Sequence, residues 1–392
     1  MDGRATQCRC APADSDSPGG GFLGFFQDIP DPRAANAVHK LTDVLVLAFC
    51  GVLCGAQGWV DVEEFAQSKL AWFKTFLELP AGVPSHDTFG RVFSALCPEA
   101  FERCFTAWMA SVTSLGGGKL LAIDGKSIRR SFEHGWDKSG MAHLVSAFVA
   151  ANGLVFAQVA VKDKENEIVA IPKLLELLDL EGSVVSIDAI GCQRQIASQI
   201  VRSGGDYLLA VKENQPTLHE QVSKAMDELI LESTSTPEQA IEHSFTQTVD
   251  GDHGRIETRR VWVSDQVQWV KLEEPWPHLG SVIAIESVRE IGNDLSTERR
   301  YLVSSLKDLN ATRAAQLVRS HWSVENNLHW QLDVSFDEDR RRIRKGHAAE
   351  NFSRLCRMAL NRLKSDKSKG SIRTKRLKAG WDHYYLFKLL TT

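Results

Sequence analysis

The sequence predicts an α/β fold: a mixed five-stranded sheet with a β-rich insertion, preceded by an all-helical N-terminal domain. Three observations predict it. Apolar residues recur at helical spacing from residue 22 to 115 and stop at the run Gly116–Gly118. Short apolar runs then follow in the order strand, strand, strand, helix, strand, helix, strand. A later amphipathic stretch, His321 to Glu338 (HWSVENNLHWQLDVSFDE), carries Glu325 on a face that is partly apolar, so a carboxylate stands where a core would meet a cleft.

The helical segment contains four periods: Leu41 to Leu53, Phe65 to Leu77, Thr88 to Leu96 and Ala100 to Val112. Pro80, Gly82 and Pro84 punctuate them, and Ser85 is placed to cap the third. His86, Asp87 and Arg91 on that helix suit either a DNA groove or the outside of a structural bundle. Val44 to Trp59 is the most hydrophobic run, but Gly51, Gly55 and Gln57 interrupt it and it is short for a membrane span, so it reads as a buried helix. Residues 1–21, rich in Gly, Pro, Ser and Asp, lack an apolar run and read as a disordered leader rather than a signal peptide.

The sheet begins with Lys119 to Asp124 (KLLAID), a strand ending on a carboxylate. His143 to Ala151 and Leu154 to Val161 form two more strands, joined by Asn152-Gly153, a strong hairpin signal. Glu167 to Leu180 is an amphipathic helix, with Pro172 expected in its first turn. Ser183 to Asp188 is a fourth strand, again ending on an aspartate; Gln193 to Ser203 is a helix and Asp206 to Lys212 the fifth strand. This order, hairpins followed by crossover helices, is of the ribonuclease H type. With the fourth strand parallel to the first, right-handed crossovers set Asp124 and Asp188 side by side, where open α/β sheets gather ligands.

Residues 116–212 thus form the first part of a core and residues 213–305 the insertion. The insertion has a helix (Thr217 to Glu232) and alternating segments at His243 to Val249, Arg255 to Val263, Ser281 to Arg289 and Arg299 to Ser304. A helix from Asn310 to Trp322 leads back to the sheet within 306–339, and 340–392 closes the chain as a basic helical region.

The net charge of −4 argues against a generic polyanion binder, but it hides an asymmetry. Arg340 to Lys378 holds 15 Lys or Arg against Glu350 and Asp366, while the remainder holds 31 basic and 48 acidic residues. A basic tail on an acidic body suits a nucleic-acid partner or a solvated helical surface. The eight cysteines show no paired zinc spacing and read as reduced thiols of a cytoplasmic protein; Cys50 and Cys54, four apart on an apolar helix, fit core packing.

A single aspartate at a strand end is ordinarily a turn cap. Two at adjacent strand ends, with a glutamate on a helix, match a two-metal phosphoryl-transfer site: hard divalent cations take oxygen ligands, and a pair of them serves both the attacking and the leaving oxygen. Asp124 would bridge two Mg²⁺ ions, with Mn²⁺ able to substitute, and Asp188 and Glu325 would each complete one side. Asp333, Asp337, Glu338 and Asp339 are rival acids, the last three at a helix end.

The strings AIDGKSIRRS (Ala122 to Ser131), SIDAIGCQ (Ser186 to Gln193), DYLLAVKENQ (Asp206 to Gln215), HGRIETRR (His253 to Arg260) and HWSVENNLHWQLDVSFDED (His321 to Asp339) resemble the H-repeat-associated insertion-sequence transposases of the DDE superfamily. DIPDPR and PSHDTFGRVF resemble that family's helical leader domain, so the likeness spans about Phe22 to Leu390. The resemblance implies a ribonuclease H-like core and Asp124, Asp188 and Glu325 as its acidic triad. It also implies cleavage at terminal inverted repeats and strand transfer into target DNA. Self-association on DNA, as a dimer or larger assembly, is implied as well.

Other members of the superfamily carry an arginine four residues before the glutamate and a lysine seven after it. Here those positions are His321 and Leu332, which leaves Arg319, His321, Arg344 and Lys345 as candidates for the phosphate contacts. Lys126, Arg129 and Arg130 suit either DNA phosphates or a solvated loop. Trp322 suits either stacking on an extruded base or the core. The competing expectations are a nuclease without strand transfer and a DNA-binding protein without catalysis; three convergent acids speak against the latter.

Overall fold

The computed structural model describes residues 22–112, 119–131, 141–161, 167–235, 243–252 and 254–391. The leader over 1–21 and the glycine run at 116–118 lie outside the described residues.

Among the described residues the N-terminal segment forms a 3-10 turn (Phe22–Phe26) and five α-helices: α1 (Leu41–Cys54), α2 (Trp59–Ser68), α3 (Leu70–Phe73), α4 (His86–Ala95) and α5 (Pro98–Val112). Helix α1 has no polar face, and every residue from Val44 to Leu53 is buried. Its surroundings are protein: α2 packs on one side and C-terminal helices on others. No single helix among the described residues is long and apolar enough to cross a membrane. Ser85 caps α4 as expected, its Oγ accepting from the Thr88 N–H. The period from Phe65 to Leu77 is broken between α2 and α3 rather than continuous.

The strands are β1 (Leu120–Ser127), β2 (His143–Val149), β3 (Leu154–Val161), β4 (Val184–Ile187), β5 (Asp206–Val211), β6 (Ser244–Asp252), β7 (Arg255–Ser264), β8 (Ser281–Ile291) and β9 (Asp294–Ser304). Between them run α6 (Glu167–Leu175), α7 (Arg194–Arg202) and α8 (Pro216–Ser235). Pro172 sits beyond the first turn of α6, and the helix stops at Leu175, short of the expected Leu180. Past Leu175 the backbone tightens, the Leu177 and Leu178 N–H groups donating to the Leu174 and Leu175 carbonyls three residues back.

The first five strands lie in the order β3-β2-β1-β4-β5, with β1 antiparallel to β2 and parallel to β4, and β4 parallel to β5. The expected limit of five strands is wrong: one nine-stranded sheet continues as β9-β8-β7-β6. β9 pairs antiparallel with β5, Leu208 facing Ser304, so the insertion's last strand covers an edge that would otherwise expose unpaired backbone groups. The remaining insertion strands follow as a meander. β9 also begins five residues earlier than its apolar pattern indicated, because its polar first half lies exposed beyond the covering helices.

The chain ends with α9 (Ala311–His321), a π-helical turn (Glu325–His329), α10 (Trp330–Val334), α11 (Ala348–Ser365), α12 (Ile372–Trp381) and α13 (His383–Thr391). One apolar cluster joins α1, α4, α5 and α11 to one face of the sheet; a second joins α9 to the other through Leu120, Val184, Val261, Ile283 and Leu302. The basic tail is partly internal. Arg341, Arg354, Arg357, Arg362, Lys375 and Arg376 are all buried, so six of its fifteen cations cannot meet a phosphate. Arg357 pairs with fully buried Glu338 at 3.0 Å, Arg354 pairs with Glu102 of α5, and Arg376 donates to the Val52 carbonyl of α1 at 2.8 Å. Arg354 and Arg376 thereby tie the C-terminal helices to the N-terminal ones, and Arg357 ties α11 to the segment that follows α10.

Candidate functional site

Side chains alternate along a strand, so Leu120 and Asp124 on β1 face the same way, as do Val184 and Ser186 on β4, with Asp188 just past its end. Leu120 and Val184 belong to the cluster under α9, so this is the face α9 covers. The parallel register pairs Ile123 with Ile187, which sets Asp124 beside Asp188 where the β1–β4 ladder stops; β1 itself runs on to Ser127, past the expected end at Asp124, because it stays paired with β2. Asp188 opens a 3-10 turn (Ala189–Gly191).

Helix α9 starts at Asn310, whose Oδ1 accepts from the Arg313 N–H at 2.8 Å. It buries Ala311, Ala314 and Leu317 and runs from β6 and β7 across to β1 and β4. Beyond it, Val324, Leu328 and Leu332 are buried, which leaves Glu325 exposed toward the cleft. Trp322 lies outside the core, 55% exposed, and Trp330 is likewise 53% exposed.

Carboxylate oxygens of Asp124 and Glu325 and a ring nitrogen of His329 all lie within 4.8 Å of one another. His329 is buried, its Nε2 3.2 Å from Asp124 Oδ2. Asp188 stands outside this three-residue cluster but close enough to feel it. Burial, then the carboxylates of Glu167 and Asp124, raise its pKa, against the backbone N–H groups of Ile190 and Gly191. Asp124 goes the other way: burial pushes it up, but the His329 and His321 imidazoles beside it hold it below the usual carboxylate range. His321 shares a hydrogen bond with Ser186 Oγ through Nδ1 at 2.8 Å; burial lowers its pKa, and the Asp124 carboxylate opposes that shift.

Behind Asp124 lies a second layer. Gly125 faces His143 and Glu167, and a Cβ there would come within 2.6 Å of both side chains. His143 Nε2 meets Glu167 Oε1 at 2.5 Å and its Nδ1 meets Ser127 Oγ at 2.9 Å, all three groups at least partly buried. The glycine after the aspartate is therefore a matter of space.

The predicted basic contacts are distributed unevenly. Lys126 is turned onto Asp333, Nζ lying 2.7 and 2.8 Å from the two carboxylate oxygens, which also accounts for that rival acid. Arg129 is exposed and 3.3 Å from Asp339; Arg130 is exposed, and its carbonyl accepts from Arg344 Nε at 3.1 Å. Arg319 pairs with Asp250 of β6 at 2.7 Å, and Lys345 is exposed. Arg300 of β9 places its guanidinium 5.3 Å from the Trp322 ring centroid, leaving much of that ring open to solvent.

Sequence reasoning missed His329, Glu167 and His143. His329 had a signal, since it stands four residues after Glu325 on the same helical path. Glu167 and His143 had none, because their contact is made only when α6 packs on β2.

A DDE_Tnp_1-associated region matches residues 23–109, and the Transposase DDE domain matches residues 115–362. "Putative transposase YncI" of Escherichia coli O157:H7 is 40% identical over 377 residues, 95% of this chain and 94% of the relative. "H repeat-associated putative transposase YhhI" of Escherichia coli K12 is 40% identical over 373 residues, 92% of this chain and 95% of the relative. A solved piggyBac transposase synaptic complex with hairpin DNA covers 96% of this chain and 81% of its own at 12% identity and a TM-score of 0.41, too distant to bear on the fold. With the Transposase DDE domain spanning most of the chain and relatives matched nearly end to end, this protein belongs to the DDE transposase family.

Proposed function

We propose that the chain cuts DNA at the terminal inverted repeats of an insertion sequence and joins the freed 3′-hydroxyl to target DNA, on a ribonuclease H-like core formed by β1 to β5. The observation that carries this reading is the convergence of Asp124 and Glu325, from the first strand and a distant helical turn, within 4.8 Å, with Asp188 just past the end of the neighbouring strand.

The donor set fits divalent cations. Asp188 and Asp124 crowd negative charge into a buried corner, which a cation would offset. Asp124, Asp188 and Glu325 would hold two ions, and the His329 imidazole, a borderline ligand, suits Mn²⁺ at least as well as Mg²⁺. When bound, such ions supply a polarised phosphoryl group and an activated oxygen nucleophile. The protein's part is to fix the donors. Ser186 holds His321 against the sheet, and the Gly125 N–H donates to Asp124 Oδ1 at 2.8 Å.

Double-stranded DNA, as element end and as target, is the partner this activity requires. Arg129, Arg130, Arg319, Arg344 and Lys345 lie outside the buried network and would take phosphates, whereas Lys126 would orient Asp333. Trp322, open on one face and backed by Arg300, suits stacking on an extruded base. The helical segment 22–115 and the tail 340–392 would act as one layer behind the core.

A labelled duplex carrying the element's own ends, incubated with Mg²⁺, tests this. The parent should nick and join it, and Glu325→Gln should bind without cutting. Nicks without joined product would indicate a nuclease; binding without cutting by the parent under Mg²⁺ and Mn²⁺ alike would indicate a DNA-binding protein.

A further inference from the structure

The turn that carries Glu325 is held from outside its own helix. A π-helical turn is wider than the α-helix it interrupts, so its carbonyls leave the regular ladder, and such turns recur at functional sites. Here the Asn327 carbonyl, in the middle of the Glu325–His329 turn, accepts from Lys364 Nζ at 2.7 Å. The same ammonium donates to the Gly153 carbonyl at 2.6 Å and lies 5.4 Å from the Phe148 ring centroid.

Lys364 is itself well anchored. One turn earlier on α11, Asn361 bonds both backbone groups of Val155 on β3, its Oδ1 accepting at 2.9 Å and its Nδ2 donating at 2.6 Å. This docks α11 on the sheet and brings Lys364 under the turn between β2 and β3. Gly153 in that turn has φ +71°, and a Cβ there would lie 3.1 Å from Nζ, so the lysine fills the space a side chain would need. Three segments far apart in sequence, the Asn152-Gly153 turn, the glutamate turn and α11, meet on one cation.

We propose that Lys364 is a positioning residue for the metal centre: by tying the Asn327 carbonyl to α11 and to the β2–β3 turn, it fixes the turn whose two ends are Glu325 and His329. The inference rests on the metal-centre reading above. A regular α-helical turn would close its carbonyls on the residue four ahead rather than five, and the two donors at its ends would then rotate relative to Asp124. One residue of the basic tail therefore serves the site's geometry rather than a DNA phosphate.

The test is Mn²⁺ binding to the full chain without DNA, followed by electron paramagnetic resonance of the free ion, for the parent, Lys364→Met, Lys364→Gln and Glu325→Gln. Melting in EDTA is recorded alongside. Lys364→Met should weaken Mn²⁺ binding about tenfold or more, the loss typical of outer-layer support of a metal site. Lys364→Gln, which keeps an N–H donor, should recover part of that affinity. A purely structural lysine would instead lower the melting temperature and leave Mn²⁺ affinity unchanged, and that result overturns the inference while a weakened Glu325→Gln keeps the metal centre standing. Unchanged Mn²⁺ affinity in Glu325→Gln overturns the metal centre and the positioning role together. Should Lys364→Met fail to fold, Lys364→Gln decides: parental affinity and parental melting then count against the role, and a several-fold loss supports it.

Discussion

His329 Nε2 lies 3.2 Å from Oδ2 of Asp124, a contact between the turn that carries the glutamate and the first strand. It brings a nitrogen donor into a site otherwise built of carboxylates. Imidazole favours first-row transition metals, while Mg²⁺ keeps to oxygen. His329→Asn should therefore weaken Mn²⁺ binding roughly tenfold and Mg²⁺ binding much less. Calorimetric titrations with the two ions would check this; an equal loss for both would assign His329 to packing alone.

Asp188 is a charge the fold holds at a disadvantage. Burial and the nearby carboxylates of Glu167 and Asp124 all favour its protonated form. A carboxyl whose folded pKa is raised costs stability as pH rises from its unfolded pKa, and the penalty is complete above the folded one. Asp188→Asn removes the repulsion, so in EDTA at neutral pH the variant should melt about 1–3 °C above the parent. In Mg²⁺ the order should reverse, because only the parent gains from binding. Differential scanning calorimetry with and without Mg²⁺ reads both signs.

The tail's buried and exposed cations should separate experimentally. Arg357 is fully buried on Glu338, and removing one partner of such a pair leaves an uncompensated charge, so Arg357→Met should cost about 3–5 kcal/mol of stability. Lys345 is exposed, and Lys345→Gln should leave stability unchanged but lower the slope of log K against log salt for duplex DNA by about one. Chemical denaturation and a salt series of binding isotherms distinguish the two. A lower salt slope for a folded Arg357→Met would show that the buried arginine reaches DNA after all.

Lys364 gives a pH signature. Burial lowers its pKa to about 8, from an ordinary value of 10.5. Between those values the unfolded chain binds more protons than the folded one, so stability rises with pH across that window and the penalty is complete below it. Subtracting Lys364→Met from the parent should isolate a rise on the order of 2 kcal/mol between roughly pH 8 and 10.5, after allowance for partial exposure. A flat difference curve would mean that the ammonium is well solvated.

Much of this molecule is set by local signals. The alternation of KLLAID and SVVSID specifies two strands, and, given that they run parallel, as Ile123 beside Ile187 shows, Asp124 and Asp188 come side by side, although the first strand runs on to Ser127. Ser85 caps its helix and Gly153 turns its hairpin because both depend on a few adjacent residues. The sequence likewise placed Glu325 on the face of a helix that returns to the sheet.

Only the tertiary structure decided what depends on partners far away in the chain. That β9 closes the β5 edge, making nine strands of an expected five, is a choice among possible strand neighbours that no local pattern encodes. The basic tail read as a surface because charge is ordinarily solvated, yet Arg354 and Arg357 are buried where Glu102 and Glu338 wait for them. Lys126 similarly turns from solvent to Asp333, and His143 meets Glu167 only once α6 lies on the sheet. Sequence spacing fixes which residues share a strand or a helical face; packing fixes which of those faces meet, and with them where each charge can be neutralised.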